Sequence, residues 1–290
     1  MKRMITLALV IGFAFSAATQ AGLILVVSDS YAPGDASNTD HCDDPLVGFL
    51  QSLGHTVDTS GMGKAMREGA NSPWAVGNEA KLAALNNADL VFVSRRTDSG
   101  KYDADRKGWN ELATPVILMS GYLTRGGGNN KWGWHTSGSG NAALTEDSIV
   151  VEAGQEGHAF LTGLMSPVDA FDWPGDPAEA PKALYLPNTD GTSAGTVVGT
   201  FDGRDALLDI PAGTDLDALN GSTDKYGVTG ARRAFLGHWG YDNPGTYDFD
   251  DFVTDAGGLL MANVVAEMIP EPATIALLGF GALALVRRKR

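Results

Sequence analysis

Several residues of this sequence have side chains and spacings suited to chemistry. Asp35, Asp40, His41, Cys42, Asp43 and Asp44 crowd one loop. Carboxylates in such a cluster suit Ca²⁺, while a His-Cys pair suits softer metals. The spacing matches no EF-hand or zinc pattern. Asp40, His41, Asp43 and Asp44 are the candidate ligands, and Asp43 or Asp44 can equally cap a following helix. Ser120 ends an apolar run and can act as a nucleophile only beside a base. His135 and Asp29 are the candidate partners, although the surroundings do not follow Gly-x-Ser-x-Gly. Trp132 and Trp134, after Arg125, either stack against a sugar ring or anchor a long loop by burial. Asp248, Asp250, Asp251 and Asp255 form a second acidic group, and His158 and His238 stand apart in sequence. Gly126-Gly127-Gly128 lacks the Lys-Ser/Thr of a phosphate loop.

The elements that must position these residues follow from the apolar pattern. Leu23–Val27, Ala88–Ser94 and Pro115–Met119 are continuous apolar runs, expected as strands buried on both faces. A short strand is expected at His55–Asp58. Helices are expected from Asp43 or Asp44, with Pro45 at the first position and Gly54 as the stop, from Asn78 through Leu82 and Leu85, and from Asp103 to Leu112. Alternation of strand and helix predicts an α/β fold, a parallel sheet flanked by helices. Sites in such sheets lie at the carboxyl ends of the strands. Those ends are Asp29, Ser94-Arg95-Arg96 and Ser120-Gly121-Tyr122. Beyond Ala183, Gly195–Phe201 and Arg204–Ile210 flank Asp202-Gly203, which predicts an added antiparallel hairpin. Arg233–Gly237 reads as a strand. Asp255–Met268 reads as a helix with Leu259, Leu260, Val264 and Met268 on one face. Arg125–Asn141 reads as a long surface loop.

The ends read as targeting segments rather than fold. Lys2 and Arg3 precede an apolar run from Ile5 to Phe15 and then small residues, the pattern of a signal peptide over residues 1–21. Cleavage is expected after Ala18 or Ala21, by signal peptidase. At the other end Pro270-Glu271-Pro272 is followed by uncharged residues Ala273–Val286 and by Arg287-Arg288-Lys289-Arg290. That apolar run gives about 21 Å of helix at ~1.5 Å per residue, short of a ~30 Å hydrocarbon core. It can span by thinning the bilayer, with its cations on the cytoplasmic side. Setting the six terminal cations and Glu271 aside leaves 15 basic and 34 acidic side chains in residues 22–269, a net of −19. Such a body does not suit nucleic-acid binding. One cysteine excludes an intrachain disulfide.

Two resemblances follow. Residues 269–290 resemble the PEP-CTERM sorting signal of Gram-negative bacteria. That resemblance implies an exosortase as processing partner, export across the inner membrane, a transient membrane anchor, and delivery to the cell surface or the exopolysaccharide matrix. Residues 22–268 resemble the class I glutamine-amidotransferase-like fold, in the broad sense that includes trehalose-utilisation-type domains. ILVVSD, SLGH, ADLVFVS, PVILMSG, RRAFLG and DAGGLLMANVVAEM carry it, with a generic flavodoxin-like domain as the alternative. The family places its nucleophilic cysteine after a central strand. Here that position reads Met119-Ser120-Gly121, so amidotransferase activity is not expected. The reading is therefore a non-catalytic, glycan-binding envelope or matrix protein without cofactor. An extracellular hydrolase at Asp29, Ser120 and His135, and a Ca²⁺-dependent adhesion module, are its competitors.

Overall fold

The structure is a computed structural model. It describes residues 21–28, 43–62, 79–95, 97, 99–100, 102, 105–129, 131–142, 148–170, 184–237 and 253–269. Residues 1–20 of the expected signal peptide, Asp29, Asp35, Asp40, His41, Cys42, Asp103, His238, Asp248, Asp250, Asp251 and Pro270-Glu271-Pro272 with the following apolar run lie outside the described residues. Among the described residues no helix is long and apolar enough to cross a membrane.

The fold is mixed α/β. The strands are β1 (Leu23–Ser28), β2 (Thr56–Met62), β3 (Leu90–Val93), β4 (Val116–Leu118), β5 (Ser139–Ala142), β6 (Ser148–Val151), β7 (Val168–Asp169), β8 (Leu184–Pro187), β9 (Thr196–Phe201), β10 (Arg204–Ile210) and β11 (Arg233–Leu236). The helices are α1 (Asp44–Ser52), α2 (Glu79–Asn87), α3 (Arg106–Glu111), α4 (Gly121–Thr124), α5 (Leu216–Leu219) and α6 (Asp255–Met268). One sheet runs β2-β1-β3-β4-β11-β10-β9-β6-β7, and β5 pairs with β8 in a separate ribbon. The first five strands of that order are parallel to one another, and the pairings from β11 to β7 are antiparallel.

Strand alternation divides the core in two. Ile24, Val26, Leu90, Phe92 and Ile117 face α1 and α6. Leu25, Val27, Val91, Val93 and Leu118 face Leu85 of α2, Trp109 of α3, and Trp132 and Trp134. Both strand faces are therefore dry, as the continuous apolar runs require. The hairpin forms as expected: Asp202 and Gly203 have φ of 50° and 67°, a left-handed pair suited to a tight turn. It is not an appendage, because β11 inserts between β4 and β10 and joins both halves into one sheet.

Local corrections have physical causes. Helix α3 begins at Arg106, three residues later than expected, after Asp105, whose side chain makes no capping bond. Thr254 caps α6, its hydroxyl accepting from Gly257 N at 3.0 Å. Leu259 is 41% exposed, and the buried face of α6 is Gly257, Leu260, Met261, Val264, Val265 and Met268. Two adjacent apolar rows, not one, meet the sheet, which rotates Leu259 outward. The segment after Arg125 is not a surface loop. It folds inward and contributes buried Trp132, Trp134 and His135.

Candidate functional site at the carboxyl edge

The ends of β1, β3 and β4 lie side by side, since Val27 pairs with Val93 and Val93 with Leu118. Each is followed by a serine within two residues or ends in one: Ser28, Ser94 and Ser120, all fully buried. Asp43, one residue before α1, reaches over the first two. One carboxyl oxygen accepts from the Ser28 hydroxyl in a short bond, and the other accepts from the Ser94 hydroxyl at 2.8 Å. Asp43 is only 8% exposed. It was expected as a metal ligand or a helix cap. Its side chain makes no capping bond, because both oxygens are turned toward the serines. Asp44 lies exposed in the first turn of α1, where its charge complements the helix dipole. Among the described residues no three His, Cys, Asp or Glu side chains come together as metal ligands.

This position is the crossover point of the sheet. The chain leaves β1 through α1 to β2 on one side, then crosses through α2 to β3 on the other. Such a divergence opens a crevice at the carboxyl edge, the usual ligand position in open α/β sheets. The same edge carries an aromatic face. The Arg95 and Arg125 guanidinium carbons lie 5.1 and 5.2 Å from the Tyr122 ring centre. Arg125 Nε also donates to Tyr122 O at 2.8 Å, which fixes the guanidinium beside the ring.

The Ser120–His135 pair that the competing hydrolase reading needs is not assembled. The buried Ser120 hydroxyl has no hydrogen-bond partner among the described residues. His135 Nδ1 instead accepts from Ser137 N at 3.1 Å, and Nε2 faces Asp205 Oδ2 at 4.0 Å. A Cβ at Gly191 would lie 2.2 Å from His135 Cε1, so the imidazole fills the space that a side chain there would need. Burial pushes the His135 pKa below its usual 6.5, outweighing the upward pull of Asp205 and Asp190. His55, whose Nδ1 accepts from Gly22 N, is lowered by burial too. Both histidines bind protons more readily in the unfolded chain. Their contribution is thus present above about pH 6.5 and is lost as pH falls through the folded values. Urea unfolding at pH 7.5 and 5.5 should show lower stability at the acid value, with a smaller difference in His135→Gln. An unchanged difference in that variant would count against this origin.

Trp132 and Trp134 are fully buried, so neither indole face is open to a sugar ring. Trp132 stacks on Trp109 at 5.1 Å and meets Trp134 at 5.7 Å, tilted. Asn110, buried in α3, donates to Trp132 O and Tyr226 O and accepts from Trp134 Nε1, all within 2.9 Å. Asp217 shapes the loop that delivers Tyr226. Burial alone would raise its pKa, but the Ser222 hydroxyl and the Tyr226, Lys225 and Gly227 amides hold it down at about 2. The cluster is a support beneath the edge, not a binding platform. The loop's aromatic content signalled burial; nothing in the spacing signalled that Asp43 would join Ser28 to Ser94.

Comparison with known proteins adds one finding at the other end of the chain. The PEP-CTERM protein-sorting motif matches residues 269–290. The chain thus carries the signal of an exosortase-sorted, exported surface protein of Gram-negative bacteria. No curated protein and no solved structure matches it.

Proposed function

We propose that residues 22–268 form a non-catalytic binding module, displayed at the cell surface or in the exopolysaccharide matrix. It holds a glycan at the carboxyl edge, on a scaffold of the amidotransferase-like kind. The observation that supports this reading most is Asp43, buried and shared by Ser28 and Ser94 at the crossover point. Beside it stands Tyr122 with Arg95 and Arg125. The partly exposed Tyr122 ring and Arg125 guanidinium supply an apolar face and donors suited to a sugar ring and its hydroxyls, while buried Asp43, Ser28 and Ser94 tie the strand ends together at the same edge. The missing cysteine and the lack of a Ser120–His135 bond favour binding over turnover.

The test is calorimetric titration of purified residues 22–268 with polysaccharide extracted from the producing bacterium. Tyr122→Ala should weaken binding about tenfold, which corresponds to ~1.4 kcal/mol, with little change in melting temperature. Equal binding by the variant overturns the placement of the site. Release of reducing ends overturns the non-catalytic reading.

A further inference from the structure

The end of the folded body and the start of the sorting motif are the same place. Ile269, the first residue of the motif match, is 5% exposed and belongs to the core beneath α6. Its amide donates to Val265 O at 3.1 Å, continuing the helical turn. Met268 is buried beside it. A Cβ at Gly22 would lie 3.1 Å from Ile269 Cδ1, so residue 22 packs directly under residue 269. Gly22 is tied down in turn: its amide donates to His55 Nδ1, and its carbonyl accepts from Thr56 N. Arg232 holds the same turn from the side. It donates to Glu267 O at 3.0 Å while paired bidentately with Asp209 at 2.8 and 2.9 Å. No spacer separates this packed end from Pro270.

We propose that the amino edge of the sheet is the face that meets the membrane-embedded sorting enzyme, and that the last turn of α6 must open before the tail is removed. The proposal rests on the exosortase-sorting reading, not on the glycan reading. A processing enzyme takes its substrate as an unfolded segment, so a cut close to folded residues draws on the locally opened population. Opening here means withdrawing Met268 and Ile269 from the core and releasing the Glu267 carbonyl from Arg232. In the chemistry that follows, a backbone C–N bond breaks. The carbonyl carbon passes to a nucleophile, water or an acceptor amine, and the tail leaves with the new amine. Because β1, β2 and β3 all start at this edge and Asp43 lies at the other, the anchored body points its carboxyl edge away from the bilayer.

The experiment follows tail loss in the producing bacterium by pulse-chase, fractionation and intact mass. Four full-length chains are compared: the natural one, one with an eight-residue Gly-Ser insert between Ile269 and Pro270, Ile269→Ala, and Leu259→Ser as an exposed control on the same helix that should lose its tail at the natural rate. The insert leaves the packed turn intact, so the melting temperature of the body should not change. It moves the motif clear of the fold and should speed tail loss about fivefold or more, the gain being the opening step that it bypasses. Ile269→Ala should also speed it, by weakening the closed turn. Equal rates in the natural and inserted chains overturn the proposal. Retention of the tail in every chain overturns the sorting reading and this proposal with it, while leaving the calorimetric test untouched.

Discussion

Arg233→Met should lower the unfolding free energy by about 3–5 kcal/mol, the range seen when a buried polar network loses its centre. Arg233 lies in β11 with no exposed surface. Its guanidinium meets carbonyls only. One terminal nitrogen donates to Asn110 O and Leu112 O, both at 2.7 Å, and the other to Thr114 O at 2.9 Å and Arg232 O at 3.2 Å. Asn110 and Leu112 stand at the end of α3, where carbonyls lack intrahelical partners and the helix dipole favours a cation. Burial depresses the Arg233 pKa to about 9, so the charge persists at neutral pH. Methionine fills much of the volume but supplies no donor. Leu112 O and Thr114 O then stay buried and unmet, at about 1–3 kcal/mol each. Replacement of a buried ion by an apolar side chain is harmless only when its partners go too, and here the partners are backbone. Arg233→Lys should recover part of the loss, since an ammonium has three donors for four carbonyls. Urea unfolding measures both; a loss under about 1 kcal/mol for Arg233→Met would contradict the assignment.

Asn110→Ala should cost about 3 kcal/mol and alter the tryptophan fluorescence. The amide closes three bonds at once, to Trp132 O, Tyr226 O and Trp134 Nε1. Alanine leaves two carbonyls and an indole N–H buried without partners, beside a small cavity. Asn110→Asp is a sharper test. It keeps the acceptor for Trp134 but removes both donors, and it places a carboxyl group against two carbonyls. It should be no more stable than Asn110→Ala. Full stability in either variant would mean that the segment after Arg125 is held by ring packing alone.

The parts of the fold legible in the sequence are those where one local signal decides. Leu23–Val27, Ala88–Ser94 and Pro115–Met119 read as buried strands because nothing polar interrupts them. Asp202-Gly203 read as a hairpin turn because few other pairs accept two left-handed residues. What stayed hidden depends on distant partners. The strand at Ser148–Val151 has no alternation of its own; it is a strand because β9 offers it a ladder. The aromatic content around Trp132 and Trp134 pointed to an anchor by burial, but not to Asn110 as the residue that holds them. In the candidate site, the strand-end positions Ser94, Ser120 and Tyr122 were visible from the parallel-sheet rule. The Asp43 bridge was not, since capping accounted for an aspartate before a helix, and Ser28 lies fifteen residues away across a turn of the fold.

The place of β11 in the sheet also bears on when this protein can fold. Residues 233–236 are nearly the last of the body to be made, yet they form the seam between the parallel and antiparallel halves. Until they arrive, β4 and β10 each present an unpaired central edge, and Arg233 is absent from the end of α3. A sheet closed by its latest strand has high contact order and closes slowly. In a chain carrying an export and sorting signal, such a delay would favour crossing the membrane before the fold is complete.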